Sequence, residues 1–336
     1  YTPEFADRLF NQIKGFGGYG FPESHSASFA LLAYVSAWLK CHHPAAFYVG
    51  LLNSQPMGFY SPSQLVQDAQ RHHVLILPAD VNHSDWDHQL LSSQDTRQPP
   101  IRLGLRLVKG LSQAVGKRIS DVRRQRAFTN VADLRRRASL DRKNMEALAA
   151  ADALSSISGH RHQTHWQTMA LEDHRPLLPA ETSPQHNTRD EVRLPTPSLG
   201  EEVVADYQST GLSLKAHPLA LLRTQYPFSQ CTPQNELIRL GHHRFVRIAG
   251  LITCRQRPGT ASGVVFLTLE DETGNMNVIV WPAVQERYRQ ALMTSQLVVI
   301  KGTVEARDGV VHVIASALEN HSEQLSTLTV ASRDFH

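Results

Sequence analysis

Apolar residues recur at helical spacing from Tyr1 to about Asn82, which predicts a mostly helical first domain over 1–100. In its first helix, predicted over 3–14, these residues are Phe5, Leu9, Phe10 and Ile13. A second helix, predicted over 26–40, is apolar around most of its circumference, and such a helix is typical of the interior of a larger body. It is too short for a membrane span, which needs about 20 apolar residues.

The apolar pattern changes to a period of two from Phe245 onward, as is typical of half-buried strands. The predicted strands are 245–253, 264–270, 275–281, 297–304 and 310–317. A helix over 282–292 separates the third strand from the fourth, and this order of elements is that of an OB-fold barrel. We therefore predict an OB-fold over 241–320, followed by a polar tail over 321–336.

The predicted barrel has no function fixed by its fold alone. OB-folds usually hold single strands, with bases stacked on aromatic side chains and phosphates beside cations. The candidate contacts on this barrel are Arg247, Arg255, Arg257, Phe266 and Lys301. Phe266 could equally face the core, and the barrel could instead bind a partner protein.

Residues 101–171 predict a tandem helix-hairpin-helix domain. A strand over 101–107 leads into a turn at 109–111, and a helix follows from Ser112 to about Arg124. Glycine lets the backbone of such a turn approach a phosphate, and the amides that begin the next helix point at the anion. The candidate DNA contacts are Lys109, Gly110, Leu111, Lys117, Arg118, Arg123 and Arg124. Turns of this kind also occur in ordinary helix–helix connections, so the motif alone leaves DNA contact open.

The remainder of the chain is predicted to be connecting structure. Helices capped by Asn130 and Asp141 lead to a second turn at 151–153. The segment 172–200 is rich in proline and acidic residues, which predicts a flexible linker. A helical connector over 201–240 then joins this linker to the barrel.

Charge is distributed unevenly in a chain whose net charge is only +3. Residues 101–150 hold 13 Lys or Arg against 4 Asp or Glu. A basic block of this kind favours a polyanionic partner, of which nucleic acid is the commonest, although a solvated face is the plain alternative.

Cysteine and histidine usage indicates neither disulfides nor a metal site. The 3 cysteines lie far apart without a Cys-x-x-Cys pair, which suits a reducing compartment. The histidine pairs lack a carboxylate or cysteine at ligand spacing, so we predict no metal ligand. The sequence shows no signal peptide or membrane span, and we expect a cytoplasmic protein without membrane contact.

Two stretches carry a resemblance to a known family: YGFPESHSASFALLAYVSAWLKCHHPAAFYVGLLN and NSQPMGFYSPSQLVQDAQRH. They resemble the fingers segment of the C-family bacterial DNA polymerases, the family of the polymerase III alpha subunit. Within that family they are more similar to the error-prone, ImuC-type branch than to the replicative branch. The resemblance continues along the chain and implies a multidomain α+β fold, with an all-α fingers segment, a small α tandem helix-hairpin-helix domain and a C-terminal five-stranded OB-fold β-barrel.

The resemblance also implies roles for particular residues. Ser24, His25 and Lys40 would help to position the incoming nucleotide and the template. Two hairpins pair in the family to hold duplex DNA by its backbone. Asp152 stands where relatives often have glycine, which argues against phosphate contact by the second hairpin.

The catalytic aspartates of the family lie upstream of Tyr1, and this sequence contains no paired-aspartate constellation of its own. We therefore expect no catalytic residue, metal or cofactor in this chain, with magnesium required by the full-length polymerase. Because the chain starts at Tyr1 without Met, we interpret it as a fragment that is inactive alone.

The implied function is damage-induced translesion synthesis and mutagenesis. The implied partners are duplex and single-stranded DNA together with ImuA-type and ImuB-type accessory proteins, and the sliding clamp would be contacted only indirectly. Two alternatives remain. One is a non-catalytic adaptor that recruits repair proteins to DNA. The other is a replicative alpha subunit, against which the short segment after the last strand argues.

Overall fold

The computed structural model describes residues 2–17, 23–57, 60–92, 98–171, 194–237, 239–259, 262–307 and 310–328. The chain divides into two compact units. The first unit comprises 1–78 and 83–104, and the second unit comprises 79–82 and 105–336. The observed helices and closed barrel confirm the predicted multidomain α+β fold.

The first unit combines helices with a small sheet. Its described helices are α1 (Pro3–Gly17), α2 (Glu23–His42), α3 (Pro44–Asn53) and α4 (Pro62–Arg71). Its strands are β1 (Ile76–Leu77), β2 (Gln89–Leu90) and β3 (Ile101–Arg102). The central strand β3 pairs in parallel with β1 and antiparallel with β2. The packed part of the unit lies on α3 and α4, where Tyr48, Leu52 and Val66 are almost fully buried.

The prediction that the apolar second helix is buried is wrong for the described structure. Large side chains of α2 are exposed: Phe29, Leu31, Leu32, Tyr34, Val35, Trp38 and Leu39. On α1, the side chains of Phe5, Leu9, Phe10 and Ile13 are exposed as well. Burial of a helix that is apolar all round needs neighbours on every side, and α2 makes its main described contacts with α3 alone.

The strand predicted over 101–107 is much shorter than expected. It ends at Arg102, and the chain turns into a 3₁₀ helix at Leu105–Leu107. Gly104 lies at the break, where a Cβ would clash with the backbone carbonyl of Trp86. This close approach of two backbones requires glycine and ends the extended segment.

The second unit begins with the helices of the hairpin region and the connector. They are α5 (Gln113–Gln125), α6 (Val131–Arg137), α7 (Arg142–Ala150), α8 (Ser155–Ser158), α9 (Arg161–Met169), α10 (Leu199–Ser209), α11 (Pro218–Leu222) and α12 (Gln234–Leu237). Asn130 and Asp141 cap α6 and α7, which confirms both predicted caps. Most of the predicted linker, 172–193, lies outside the described residues.

The predicted barrel is present in the second unit. Its strands are β4 (Phe245–Gln256), β5 (Val265–Glu270), β6 (Asn275–Val280), β7 (Leu297–Arg307) and β8 (Val310–Asn320). They close in the order β4-β5-β6-β8-β7, with β6 and β8 parallel and the other pairs antiparallel. The predicted helix between β6 and β7 is divided at Tyr288 into α13 (Pro282–Arg287) and α14 (Arg289–Thr294).

The connector and the end of the chain add a second core outside the barrel. Ser322–Leu328, within the predicted polar tail, forms a 3₁₀ helix. Its Leu328 is buried together with residues of the connector and the barrel wall: Leu219, Leu222, Phe228, Ala249, Leu297 and Val299. The packed structure around the barrel therefore continues beyond β8. Residues 329–336 lie outside the described part of the chain.

Candidate nucleic-acid interface

The first hairpin presents a glycine turn and a helix N-terminus at the surface. Leu111 N–H donates to Val108 O at 3.2 Å, and Gly110 adopts a φ of +84°. A Cβ on Gly110 would meet nothing within 4 Å, so the turn is open to an approaching ligand. Ser112 caps α5 by accepting from Val115 N–H. The first amides of a helix have no partner within it, and here they follow directly on the turn.

Lys109 of this turn is bound to the connector. Its Nζ donates to the carbonyl oxygens of Tyr207 at 3.0 Å and Gln208 at 2.8 Å, and its N–H donates to Ser209 O. These carbonyls lie at the C-terminal end of α10, where the helix dipole attracts a cation. Lys109 therefore holds α10 against the hairpin.

The other predicted hairpin residues divide into structural and free groups. Arg118 donates to Ala138 O and Ser139 O, and Arg123 donates to Val81 O. Arg124 pairs with Asp121 on the surface. Leu111 is buried, so only its backbone could approach DNA. The free cation is Lys117, which is exposed and makes no hydrogen bond or ion pair with any described residue.

Part of the basic excess is neutralised inside the second unit by Asp133. This buried carboxylate accepts from Arg126 at 3.1 Å and Arg137 at 3.2 Å, and from the amide of Thr129. Burial alone would raise the pKa of Asp133, but the Thr129 amide and the Arg137 guanidinium outweigh it and hold the pKa below its usual range. Apart from the charge run, no sequence pattern indicates this cluster.

The Asp133 cluster predicts a pH-dependent loss of stability in Asp133→Asn. At neutral pH this substitution should lower the free energy of unfolding by about 2 kcal/mol, because it removes a buried charge that accepts hydrogen bonds from Arg126, Arg137 and Thr129. A carboxyl whose folded pKa is depressed stabilises the fold above its unfolded pKa of about 3.9, and this contribution disappears as the pH falls through the folded pKa. Urea unfolding of both proteins at pH 7 and pH 3 checks this.

The difference between wild type and Asp133→Asn should be clearly smaller at pH 3. A difference of the same size at both values would contradict the role of the carboxylate charge. Asp121→Asn is the control, since Asp121 has a side chain that is 66% exposed. It should change the free energy of unfolding by less than about 1 kcal/mol at either pH.

The second hairpin carries a carboxylate at the position of its turn. Asp152 has a φ of +57° and accepts from Lys215 Nζ at 2.9 Å. Lys215 also binds Glu202, and the buried Arg161 joins Glu202 to Asp206. This ion network fastens the connector to the second turn. The Asp152 carboxylate of this turn is therefore already paired with a cation of the connector.

The candidates in the first unit do not form one site. Lys40 Nζ binds Asp68 at 2.6 Å, and Tyr48 OH donates to the same carboxylate at 2.7 Å. Burial, together with this hydrogen bond, raises the pKa of Tyr48. His25 lies about 22 Å away along α2, at 1.5 Å per residue, with its ring 4.3 Å from that of Phe29. The side chain of Ser24 lies outside the described residues.

The barrel candidates also separate into paired and free residues. Arg247 binds Gln230, Lys301 binds Glu319, and Arg255 binds the carbonyls of Leu292 and Ser295. In contrast, Arg257 is exposed on the loop after β4 and has no hydrogen bond or ion pair among the described residues. Phe266 is 37% exposed on β5, opposite Ile279 of β6, so it lies on the outer surface.

The described residues contain no cluster of three or more His, Cys, Asp or Glu side chains arranged to hold a metal ion. None of their helices combines the length and hydropathy that crossing a membrane requires.

Comparison with known proteins finds matches to two segments of this chain and to the chain as a whole. Residues 73–164 match a helix-hairpin-helix motif family, and residues 246–320 match an OB-fold nucleic acid binding domain family. An error-prone DNA polymerase of Teredinibacter turnerae is 53% identical over 345 aligned positions, and one of Saccharophagus degradans is 52% identical over 339. Along its whole length this chain is similar to error-prone DNA polymerases. The resemblance predicted from its residues is confirmed.

The similarity covers 100% of this chain but only 33% of each of these two relatives. The matched third is their C-terminal part. The first hairpin lies within the helix-hairpin-helix match, and all five strands of the barrel overlap the OB-fold match. The predicted contact residues Lys117 and Arg257, both unpaired among the described residues, therefore lie in regions that resemble nucleic-acid-binding domains.

Proposed function

We propose that this chain is the DNA-holding part of an error-prone DNA-directed DNA polymerase that acts in damage-induced translesion synthesis. The observation that carries the proposal is the similarity to error-prone DNA polymerases over the whole chain. The open Gly110 turn, the amides of α5 and the unpaired Lys117 supply a physical means of holding a DNA backbone.

The two domains of the second unit have different tasks in this proposal. The first hairpin holds duplex through its phosphates, without reading the sequence. The barrel holds single-stranded template, with Phe266 under a base and Arg257 beside a phosphate. The second hairpin, which is occupied by the connector, has a structural task.

The chemistry of the proposed polymerase lies outside this chain. Phosphoryl transfer by a polymerase uses magnesium ions held by carboxylates. In the proposal those carboxylates belong to the rest of the full-length protein, so this chain alone extends no primer. ImuA-type and ImuB-type accessory proteins are the proposed partners in the cytoplasm, with the ImuB-type partner contacting the sliding clamp.

Replacing Lys117 with Ala tests the hairpin part of the proposal. The wild-type chain should bind duplex DNA with an affinity that falls steeply with salt, since cations on the protein release ions from the phosphates. Lys117→Ala should weaken binding several-fold, and it should reduce the slope of log K against log salt by about 1, the equivalent of one phosphate contact. Fluorescence anisotropy of a labelled duplex over a salt series measures both quantities.

Lys143→Ala is the matched control, because Lys143 is another exposed lysine of the second unit on α7. It should change the slope much less than Lys117→Ala. If the two variants behave alike, the hairpin is not the contact and only the general charge of the unit acts. An affinity of the wild-type chain that does not change with salt would contradict the proposal as a whole.

A further inference from the structure

One end of the barrel carries a group of exposed rings that the candidate site does not include. His242, His243, Arg244 and Phe245 are all exposed where β4 begins. The backbone there is fixed to β7, because His243 N–H donates to Val304 O and Val304 N–H donates to Arg244 O, each at 2.8 Å. His242 accepts from the amide of Ala306 at 3.1 Å through its Nδ1. The segment is therefore held in place by the barrel.

The rings of this segment offer stacking surfaces to solvent. The His242 and His243 rings lie 3.7 Å apart between centroids, tilted by 42°. Phe245 is 68% exposed, nearly twice as much as Phe266 at 37%. An exposed phenyl ring on a strand contributes little to folding stability. Proteins that bind single strands stack unpaired bases on aromatic side chains of this kind.

The segment also carries an unpaired cation. Arg247 on β4 and Lys301 on β7 have side-chain partners. The side chain of Arg244 makes no hydrogen bond or ion pair with a described residue. A free guanidinium beside exposed rings matches a ligand that alternates flat bases with negative phosphates.

We propose that His242, His243, Arg244 and Phe245 form a single-strand contact of the barrel, separate from the β5 surface around Phe266. In this contact Phe245 and the imidazole pair stack against bases, and Arg244 binds a phosphate. The inference rests on the proposed function, since it extends the path of a strand that the barrel is proposed to hold. A nucleic acid fits better than an apolar peptide, because the group combines rings with an unpaired cation.

Phe245→Ala and Arg244→Ala in the full chain 1–336 test this contact. The probe is a labelled oligothymidine strand, and the readout is anisotropy over a salt series. Phe245→Ala should weaken binding by about tenfold, the loss typical of one stacked base. Arg244→Ala should weaken binding and reduce the salt slope by about 0.7, the value for one phosphate of a single strand. Tyr226→Ala is the control, because Tyr226 is 72% exposed on the connector.

The outcomes separate this inference from the proposed function. If Phe266→Ala weakens oligothymidine binding while Phe245→Ala and Arg244→Ala bind like wild type, the contact is overturned and the barrel still binds single strands. If the wild-type chain binds duplex but not oligothymidine, the contact is likewise overturned while the hairpin assignment stands. Unchanged strand binding together with loss of self-association would assign the rings to a protein interface and overturn the contact. Phe245→Leu, which keeps apolar volume without a ring, replaces Phe245→Ala if that variant does not fold, and it should also weaken binding.

Discussion

Arg161→Ala should lower the free energy of unfolding of the second unit by about 3 to 5 kcal/mol, the loss typical of breaking a buried ion pair. The side chain of Arg161 is only 9% exposed and lies between Glu202 at 2.8 Å and Asp206 at 2.5 Å. Without the guanidinium, these carboxylates keep Lys215 as their described cationic partner. Urea unfolding followed by the fluorescence of Trp166, which lies on the same helix, measures the loss.

Arg136→Ala is the control for this prediction. Arg136 has a side chain that is 65% exposed, and it lies 3.7 Å from Asp133. Because solvent screens such a pair, its removal should change the free energy of unfolding by less than about 1 kcal/mol. Equal losses in the two variants would mean that the buried network contributes no more than a surface ion pair, and the docking of the connector would then need another explanation.

Gly302→Ala should destabilise the barrel by about 3 kcal/mol or more, at the upper end of the range for overpacking. A Cβ at this position would clash with the carbonyl of Ile314 and would lie 2.8 Å from Cγ1 of Val313. Both neighbours belong to β8, and the register between β7 and β8 shifts at Lys301/Gly302. A closed barrel has no free edge that could move away from the added methyl group. Thermal unfolding followed by circular dichroism at strand wavelengths checks this expectation.

Gly259→Ala provides the matched comparison. A Cβ on Gly259, in the loop after β4, would meet nothing within 4 Å. Its replacement should therefore change stability by no more than about 0.5 kcal/mol, as is usual for surface positions. If Gly302→Ala were as stable as Gly259→Ala, the strand pairing at the bulge would have to be looser than the structure shows.

The barrel could be predicted from the sequence because its signal is local. Val246, Ile248, Leu267 and Leu269 point inward at every second position, and the polar residues between them point outward. Whether α2 is buried or exposed could not be predicted in the same way. An apolar circumference shows that a helix tolerates burial, but it does not show which part of the molecule would cover it.

The candidate site was predicted in its backbone and less well in its side chains. The Gly110 turn and the helix that follows it depend on neighbouring residues, and the structure has both. The partners of the cations are remote, since Arg118 binds a carbonyl 20 residues away and Lys109 binds one 98 residues away. A sequence shows that a side chain is charged, but it does not show whether the folded chain already uses that charge.

The attachment of α10 has a consequence for the proposed function. Lys109 binds the C-terminal end of this helix, Arg161 binds its acidic face, and Gly200 at its start lies against the backbone of Leu328. The same 3₁₀ segment that contains Leu328 packs on the barrel wall. The hairpin and the barrel are therefore both connected to α10. In the proposed function, a primer–template junction bound by both would therefore have its paired and unpaired parts held a fixed number of nucleotides apart.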